Sequence, residues 1–249
     1  MSPIDIFLWG VYPYIVLTIL VVGTIMRRVF FPRTWSTKSS QFLESKNEMV
    51  ATPIFHLMLL FVLFGHLGMF IPKEVMDSIG VNEHMYHMAA FYMGGGAGVL
   101  LGIALILLIR RRFGIKRMKA NTSRMDIVLY VLMTLTIVLG ICATFSNADG
   151  SFEYRLSLTP WVRSIFIGQP LVAQMAISPL IYKVHIFCGL TFFAVLPFTR
   201  IVHMFSGITA GFKYLGRKAI VYRRRKVDER ALANERALEF PSRVTPSDK

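Results

Sequence analysis

Apolar residues dominate the chain in five long runs, which are separated by shorter polar segments. The runs cover residues 6–26, 50–71, 88–109, 127–145 and 180–206. A helix needs about 20 mostly apolar residues to cross a hydrocarbon core about 30 Å thick, and each run reaches or approaches that length. The pattern therefore predicts an all-α integral membrane protein, built as a bundle of five spanning helices.

The basic residues are unevenly distributed among the segments that join these runs. The chain carries a formal net charge of +14; of its 28 Lys and Arg residues, five lie in 27–48, seven in 110–124 and twelve from Arg200 onward. These three segments fall on one side of the five predicted spans, and basic residues concentrate on the cytoplasmic side. We therefore expect a multi-pass protein of the cytoplasmic (inner) membrane, with its N-terminus outside and its C-terminus in the cytoplasm. The basic residues then report topology, and no nucleic-acid partner is expected.

Composition divides the chain into residues 1–212, the five-span membrane domain, and residues 213–249, a charged cytoplasmic tail. The polar segment 27–48 is a predicted docking surface for a soluble partner. The segment 226–240 is patterned as an amphipathic helix, with a simple solvated tail as the alternative. We expect the segment 146–179 to lie along the membrane surface, with Trp161 at the depth of the lipid headgroups.

Four histidines lie within two of the apolar runs, His56 and His66 in the second and His185 and His203 in the fifth. An unpaired polar group in hydrocarbon is costly, so these imidazoles need partners. Because the second and fifth spans run in opposite directions, topology places His66 opposite His185 and His56 opposite His203. Such pairs are typical of axial ligands to haem iron. The sequence has no CxxCH motif for covalent attachment, so we predict two b-type haems.

The spacing of these histidines does not match on straight helices. Ten residues put His56 and His66 about 15 Å apart along the second span, and eighteen put His185 and His203 about 27 Å apart along the fifth. A kink at Pro197 would reduce the difference. Gly65 and Gly189 favour haem, because a flat macrocycle needs clearance beside the backbone. Helix–helix hydrogen bonds and a proton-coupled transporter are the alternatives. Zinc is disfavoured because the ligands form two separate pairs.

Two further histidines, His84 and His87, lie at the predicted outer edge of the third span, next to Tyr86. One interpretation makes them ordinary interface histidines. The other makes them part of a quinol pocket, since quinol oxidation releases protons and a group titrating near neutral pH accepts them. The candidates for that pocket are His66, Gly65, Tyr86 and His87.

Several short motifs resemble one family, the gamma (cytochrome b) subunit of membrane-bound respiratory nitrate reductase, over about residues 5–215. The matching stretches are Tyr12-Pro13-Tyr14, Thr34-Trp35, Ser39-Ser40-Gln41, Phe55-His56, Gly65-His66, Gly94-Gly95, Gly98-Val99-Leu100, and His185 with Gly189, Thr191, Leu196-Pro197-Phe198, Arg200 and His203. The chain departs from the family pattern before the third span, where Tyr86, His87 and Met88 stand in place of lysines.

The resemblance implies five spanning helices and two b haems, an outer one bound by His66 and His185 and an inner one bound by His56 and His203. It also implies oxidation of quinol near the outer haem. Electrons would then pass inward to an iron–sulfur beta subunit and a molybdenum alpha subunit on the cytoplasmic face. A cytochrome b subunit of another quinone-linked oxidoreductase and a haem-free transporter or anchor are the alternatives.

Overall fold

The computed structural model describes residues 2–31, Trp35 and residues 48–205, and every regular element in these residues is helical. In chain order we name the helices α1 (Pro3–Phe30), α2 (Glu48–Leu67), α3 (Lys73–Ser78), α4 (Glu83–Gly114), α5 (Lys116–Ala120), α6 (Arg124–Ser146), α7 (Tyr154–Ile167), α8 (Val172–Ala176) and α9 (Leu180–Val195). Single 3-10 turns follow at Gly68–Phe70, Leu196–Phe198 and Arg200–Val202. Five helices, α1, α2, α4, α6 and α9, belong to segments long and apolar enough to cross a membrane, which confirms the predicted all-α architecture with five spans.

Three of the spanning helices begin at side chains that satisfy otherwise free backbone N–H groups. Ser2 at the start of α1 and Ser123 at the start of α6 each form a capping box with the acidic residue three positions later. Asn82 caps α4 by accepting a hydrogen bond from the Met85 N–H. Short polar side chains at these positions satisfy amides that have no partner within the helix, so the sequence itself marks where the spans begin.

The spans pack in the order α2, α4, α6, α9 and α1. Small residues bring α4 close to α6: a Cβ added at Gly95 would lie 3.3 Å from Thr144, and one at Gly98 would lie 3.4 Å from Ile141. Glycines of this kind let helices in lipid approach closely. Within the described residues the backbones of α2 and α9 do not pack closely on each other. The space between α2 and the segment that carries His185 and His203 is called the cleft below.

The segment between α6 and α9 closes one end of the bundle. Trp161 on α7 is only 2% exposed, and its ring meets Trp9 edge to face with centroids 5.9 Å apart. The indole Nε1 donates to the backbone oxygen of Trp9 at 3.0 Å. The depth of Trp161 relative to the lipid headgroups stays a prediction, but its ring is buried in protein and does not face lipid. A buried acceptor within the protein satisfies the indole N–H, so this side chain does not need the wet interface.

The fifth span is broken after Val195, which corrects the prediction of one apolar span over 180–206. Two 3-10 turns follow, with Thr199 between them in an extended conformation at ψ −179°. Arg27 of α1 holds the break, because its Nη1 donates to the backbone oxygens of Pro197 at 2.6 Å and Thr199 at 2.7 Å. These carbonyls lie where the α-helical hydrogen bonds end. The separation of about 27 Å between His185 and His203 assumes one straight helix, and the break removes that assumption.

The proposed docking surface at 27–48 and the amphipathic segment 226–240 fall largely or entirely outside the described residues. The boundary between residues 212 and 213 lies there as well, so these three expectations remain predictions.

Candidate metal centres at two histidine pairs

The four histidines of the second and fifth apolar runs form two pairs across the cleft. The ring centroids of His56 and His203 are 6.0 Å apart, with the ring planes inclined by 58°. Those of His66 and His185 are 6.1 Å apart, with an inclination of 39°. The structure thus brings together the same pairs that the topology argument selected. Below, the two ends of the bundle are called the His56 end and the His66 end.

Each of the four imidazoles is oriented in the same way, through its Nδ1 atom. The Nδ1 atoms of His56 and His66 lie 2.8 Å from carbonyl oxygens one turn earlier in α2, and that of His203 lies 2.9 Å from the oxygen of Arg200. His185 instead reaches across to the Thr136 oxygen of α6, at 3.0 Å. A carbonyl oxygen only accepts, so Nδ1 carries the hydrogen. Nε2 then keeps its lone pair, as in a metal-ligating histidine.

The separation between the rings fits one metal atom between each pair. A metal–imidazole nitrogen bond of about 2.0–2.1 Å, plus about 1.1 Å from that nitrogen to the ring centroid, gives about 6.2–6.4 Å between centroids of opposed ligands. The observed 6.0 and 6.1 Å lie close to this value. Among residues 2–31, 35 and 48–205, no three His, Cys, Asp or Glu side chains gather as a metal cluster. Two nitrogen donors per site are typical of axial ligands, whose remaining positions a macrocycle fills.

Clearance for a flat group differs between the two glycines that the sequence singled out. A Cβ added at Gly65, beside His66, would meet no atom within 4 Å. One added at Gly189 would lie 3.9 Å from Thr136, in ordinary contact with α6. Gly65 therefore provides the clearance that a macrocycle needs, whereas Gly189 serves the packing of α9 on α6.

A third glycine, Gly140, lies directly against the His185 ring, and sequence reasoning missed it. A Cβ added at Gly140 of α6 would lie 2.9 Å from His185 Cε1 and 3.3 Å from its Nδ1. Side chains do not approach so closely, so only glycine lets the ring reach the Thr136 carbonyl. A small residue inside a predicted span is a weak signal, because helix packing also explains it.

We expect Gly140→Ala to push the His185 ring off its hydrogen bond to Thr136. Metal binding by the His66–His185 pair should weaken by about 10-fold or more, the effect typical of losing a ligand's orienting contact. Titration of the purified chain with haem, followed by absorbance, measures this affinity. Gly102→Ala is the matched control, since its Cβ would lie an ordinary 3.5 Å from Ile141. Equal haem affinity in the two variants would contradict the assigned role of Gly140.

The His56 end is held by a buried ion-pair cluster that sequence reasoning also missed. Asp126 is 2% exposed and accepts hydrogen bonds from Arg200 at 2.5 and 2.6 Å and from Arg112 at 3.3 Å. Arg200 and Arg112 also donate to the Asn121 carbonyl oxygen, at 2.7 and 2.6 Å. The backbone oxygen of Arg200 in turn accepts from His203. Asp126 thereby anchors the turn that positions a candidate ligand, and its signal in the sequence is a single acidic residue after seven basic ones.

The remaining candidates for the quinol pocket divide between two places at the His66 end. The Tyr86 hydroxyl lies 3.3 Å from the position of a Cβ at Gly68, and so sits beside the turn that follows His66. His87 stacks on Phe91, with centroids 6.3 Å apart, and faces Gly150 in the loop after α6. Its Nε2 is buried and has no hydrogen-bond partner among the described residues. His84 is exposed.

Comparison with known proteins identifies the family of this chain. The model of a family described as "Nitrate reductase gamma subunit" matches residues 5–225. The chain belongs to this family. It is 41% identical to the nitrate reductase gamma chain of Bacillus subtilis over 220 residues, which covers 88% of this chain and 97% of that one. It is 30% identical to the respiratory nitrate reductase 1 gamma chain of Escherichia coli over 233 residues, covering 90% of this chain and 100% of the other. The resemblance predicted from the sequence motifs is confirmed.

Proposed function

We propose that this gamma-family chain is the membrane cytochrome b subunit of a respiratory nitrate reductase. In this role it oxidises quinol near the outer face and passes electrons inward, to an iron–sulfur beta subunit and a molybdenum alpha subunit on the cytoplasmic face. The observation that carries the proposal is the geometry of the histidines. Two pairs of imidazole rings, each ring with its Nδ1 against a carbonyl oxygen, lie at opposite ends of one cleft with their centroids at the separation that one metal atom between them requires.

The proposed cofactors are two b-type haems, held by His66 and His185 in the outer half and by His56 and His203 in the inner half. Bound haem supplies a one-electron redox centre at each pair, with a potential set by ligation, hydrogen bonding and burial. The chain's own contribution is orientation. The carbonyls that accept from Nδ1 fix each ring and raise the basicity of Nε2, which strengthens it as a ligand.

Charge topology supports the proposed direction of transfer. The sidedness of the basic segments supports a cytoplasmic His56 end and an outer His66 end, with the N-terminus outside and the C-terminus inside. In the described part of the His56 end, α4 terminates in three consecutive arginines, Arg110, Arg111 and Arg112, and α5 is basic. Soluble partner subunits would dock on that face.

Quinol oxidation releases two electrons and two protons, so the pocket must accept protons as well as electrons. His87 suits this task, because its Nε2 is buried at the His66 end and has no hydrogen-bond partner in the described part of the chain. Tyr86, next to the turn after His66, would line the side of the pocket nearer the histidine pair, together with His66 and Gly65, while His87 would lie on the other side. Protons accepted there leave toward the outside, while electrons move inward, and the reaction so stores energy across the membrane.

Difference spectra of the purified chain and of the complex in membranes test the proposal. Reduction by dithionite should give a b-type signal from two haems, and reduction by menadiol should give the same signal. An absent b-type signal, or one that survives replacement of both His56 and His66, would overturn the dihaem assignment. A chain with haem that menadiol fails to reduce would overturn the assignment of quinol as donor.

For the proton-accepting residue we expect His87→Gln to slow menadiol-driven reduction by about 100-fold, the lower end of what a positioned acid–base group contributes. Haem content and dithionite reduction should stay normal, because His87 contacts neither histidine pair. His84→Gln is the matched control, as its side chain is exposed three residues earlier. Equal reduction rates in the two variants would count against His87.

A further inference from the structure

Arg155, in the first turn of α7, carries a buried charge that the proposed function does not yet use. The residue is 6% exposed, and its guanidinium carbon lies 4.3 Å from the centroid of the Tyr86 ring. Neither Nη1 nor Nη2 donates a hydrogen bond to any residue that the structure describes. A cation–π contact with Tyr86 offsets only part of the cost of burying this charge. The two nitrogens therefore need an oxygen acceptor.

A second buried polar group without a partner among the described residues belongs to the residue that precedes Arg155. The hydroxyl of Tyr154, the preceding residue, is buried and has no hydrogen-bond partner within the described residues. Burial raises the pKa of Tyr154, so its hydroxyl remains a neutral donor at physiological pH. The Tyr86 and Tyr154 rings are 6.3 Å apart, and Tyr86 in turn touches the turn after His66. The two guanidinium nitrogens and the Tyr154 hydroxyl thus lie at the His66 end without hydrogen-bond partners among the described residues.

Other cations at this end already have partners or are less buried. Lys73 pairs with Asp77 at 3.0 Å and lies 3.8 Å from Glu83. Lys183 donates to the backbone oxygen of Ala176 at 2.5 Å. Arg163, two turns further along α7, is only half-buried. Arg155 therefore differs from its neighbours in combining deep burial with donors that find no partner among the residues described.

We propose that Arg155, held against the ring of Tyr86, binds an oxyanion of a ligand at the His66 end of the cleft. A planar guanidinium offers two parallel N–H groups, which match the two oxygens of a carboxylate and also bind a single anionic oxygen. The inference rests on the proposed function, which supplies two sources of such an oxygen. One is a carboxylate side chain of the outer haem, and the other is the quinol oxygen as it loses its proton.

Arg155→Gln in the complete complex in native membranes tests this assignment. Loss of a charge-assisted hydrogen bond should change either the redox equilibrium of the outer haem or the KM for menadiol by about 10-fold or more. Three measurements are made on each variant: haem content, redox titration of both haems, and the KM for menadiol. Arg163→Gln is the matched control on the same helix, and Arg155→Lys should recover part of the loss, because it restores charge without the planar fork.

The measurements distinguish the two sources of the oxyanion. If Arg155 binds a haem carboxylate, Arg155→Gln lowers the potential of the outer haem alone, by about 59 mV for a 10-fold change with one electron. The KM for menadiol then stays within 2-fold of the control. If Arg155 binds the quinol oxygen, the KM rises about 10-fold, and both potentials match those of Arg163→Gln.

Failure of the inference is distinguishable from failure of the proposed function. Two haems reduced by menadiol in the unaltered complex, with potentials and KM equal in Arg155→Gln and Arg163→Gln, would overturn only the role of Arg155. Water would then satisfy the guanidinium. Should Arg155→Gln lose all haem, Tyr86→Leu provides the second variant, since it removes the stacking ring but keeps the charge. Unchanged potentials and KM in Tyr86→Leu would overturn the inference in that case.

Discussion

Replacement of His185 by alanine is expected to abolish one metal centre while leaving the other intact. The variant removes one of two opposed nitrogen donors, and the remaining ligand, His66, cannot hold a haem between the helices by itself. The dithionite-reduced b-type signal should fall to about half, because one of two haems is lost. Menadiol-driven reduction should disappear altogether, since the proposed donor site adjoins this pair. Difference spectra of membranes containing the full complex measure both effects.

The counterpart and the control make this experiment specific. His203→Ala should remove the other half of the signal, because its ring pairs with His56. His84→Gln should keep both haems, since that side chain is exposed and pairs with neither centre. Retention of the complete two-haem signal in His185→Ala would refute the assigned ligand pair.

Asp126→Asn is expected to produce the largest loss of stability. Removal of one partner from a buried ion pair leaves uncompensated charge, here on Arg112 and Arg200. The usual cost is 3–5 kcal/mol, and we expect about 3 kcal/mol because the Arg200 side chain is 34% exposed. Thermal unfolding of the purified chain in detergent, followed by circular dichroism, measures the loss.

The same variant should disturb one centre more than the other. Arg200 donates its side-chain hydrogen bonds to Asp126 and accepts from His203 through its backbone oxygen. We therefore expect the spectrum of the inner haem to change and that of the outer haem to persist. Asp77→Asn is the matched control, since its ion pair with Lys73 is exposed and such pairs contribute at most about 1 kcal/mol. Equal unfolding temperatures in the two variants would contradict the anchoring role of Asp126.

The sequence was sufficient to predict the spans and to select the histidine pairs, because both depend on simple physical constraints. Hydrocarbon thickness sets the length of an apolar helix, and the sidedness of basic residues sets the direction of each span. Together these constraints place His66 opposite His185 without any knowledge of packing.

What the sequence could not predict depends on contacts between distant segments. The break after Val195 depends on Arg27, about 170 positions earlier, which donates hydrogen bonds to the backbone oxygens of Pro197 and Thr199. The burial of Trp161 requires the backbone oxygen of Trp9 as acceptor, and the position of the His185 ring requires a glycine, Gly140, on a neighbouring helix. No local pattern of apolar and polar residues encodes such pairings.

The break in the fifth span also determines which part of the chain fixes the spacing between the two histidine pairs. His185 and His203 lie on separate rigid pieces, one fixed by α6 and the other by Arg27 and Asp126. His56 and His66 lie on one uninterrupted helix, α2, ten residues apart. The spacing of His56 and His66 along the cleft is therefore set by α2 alone, at about 15 Å. One residue inserted between His56 and His66 would rotate His66 by about 100° away from His185. An insertion between His185 and His203 could instead be accommodated at the break after Val195.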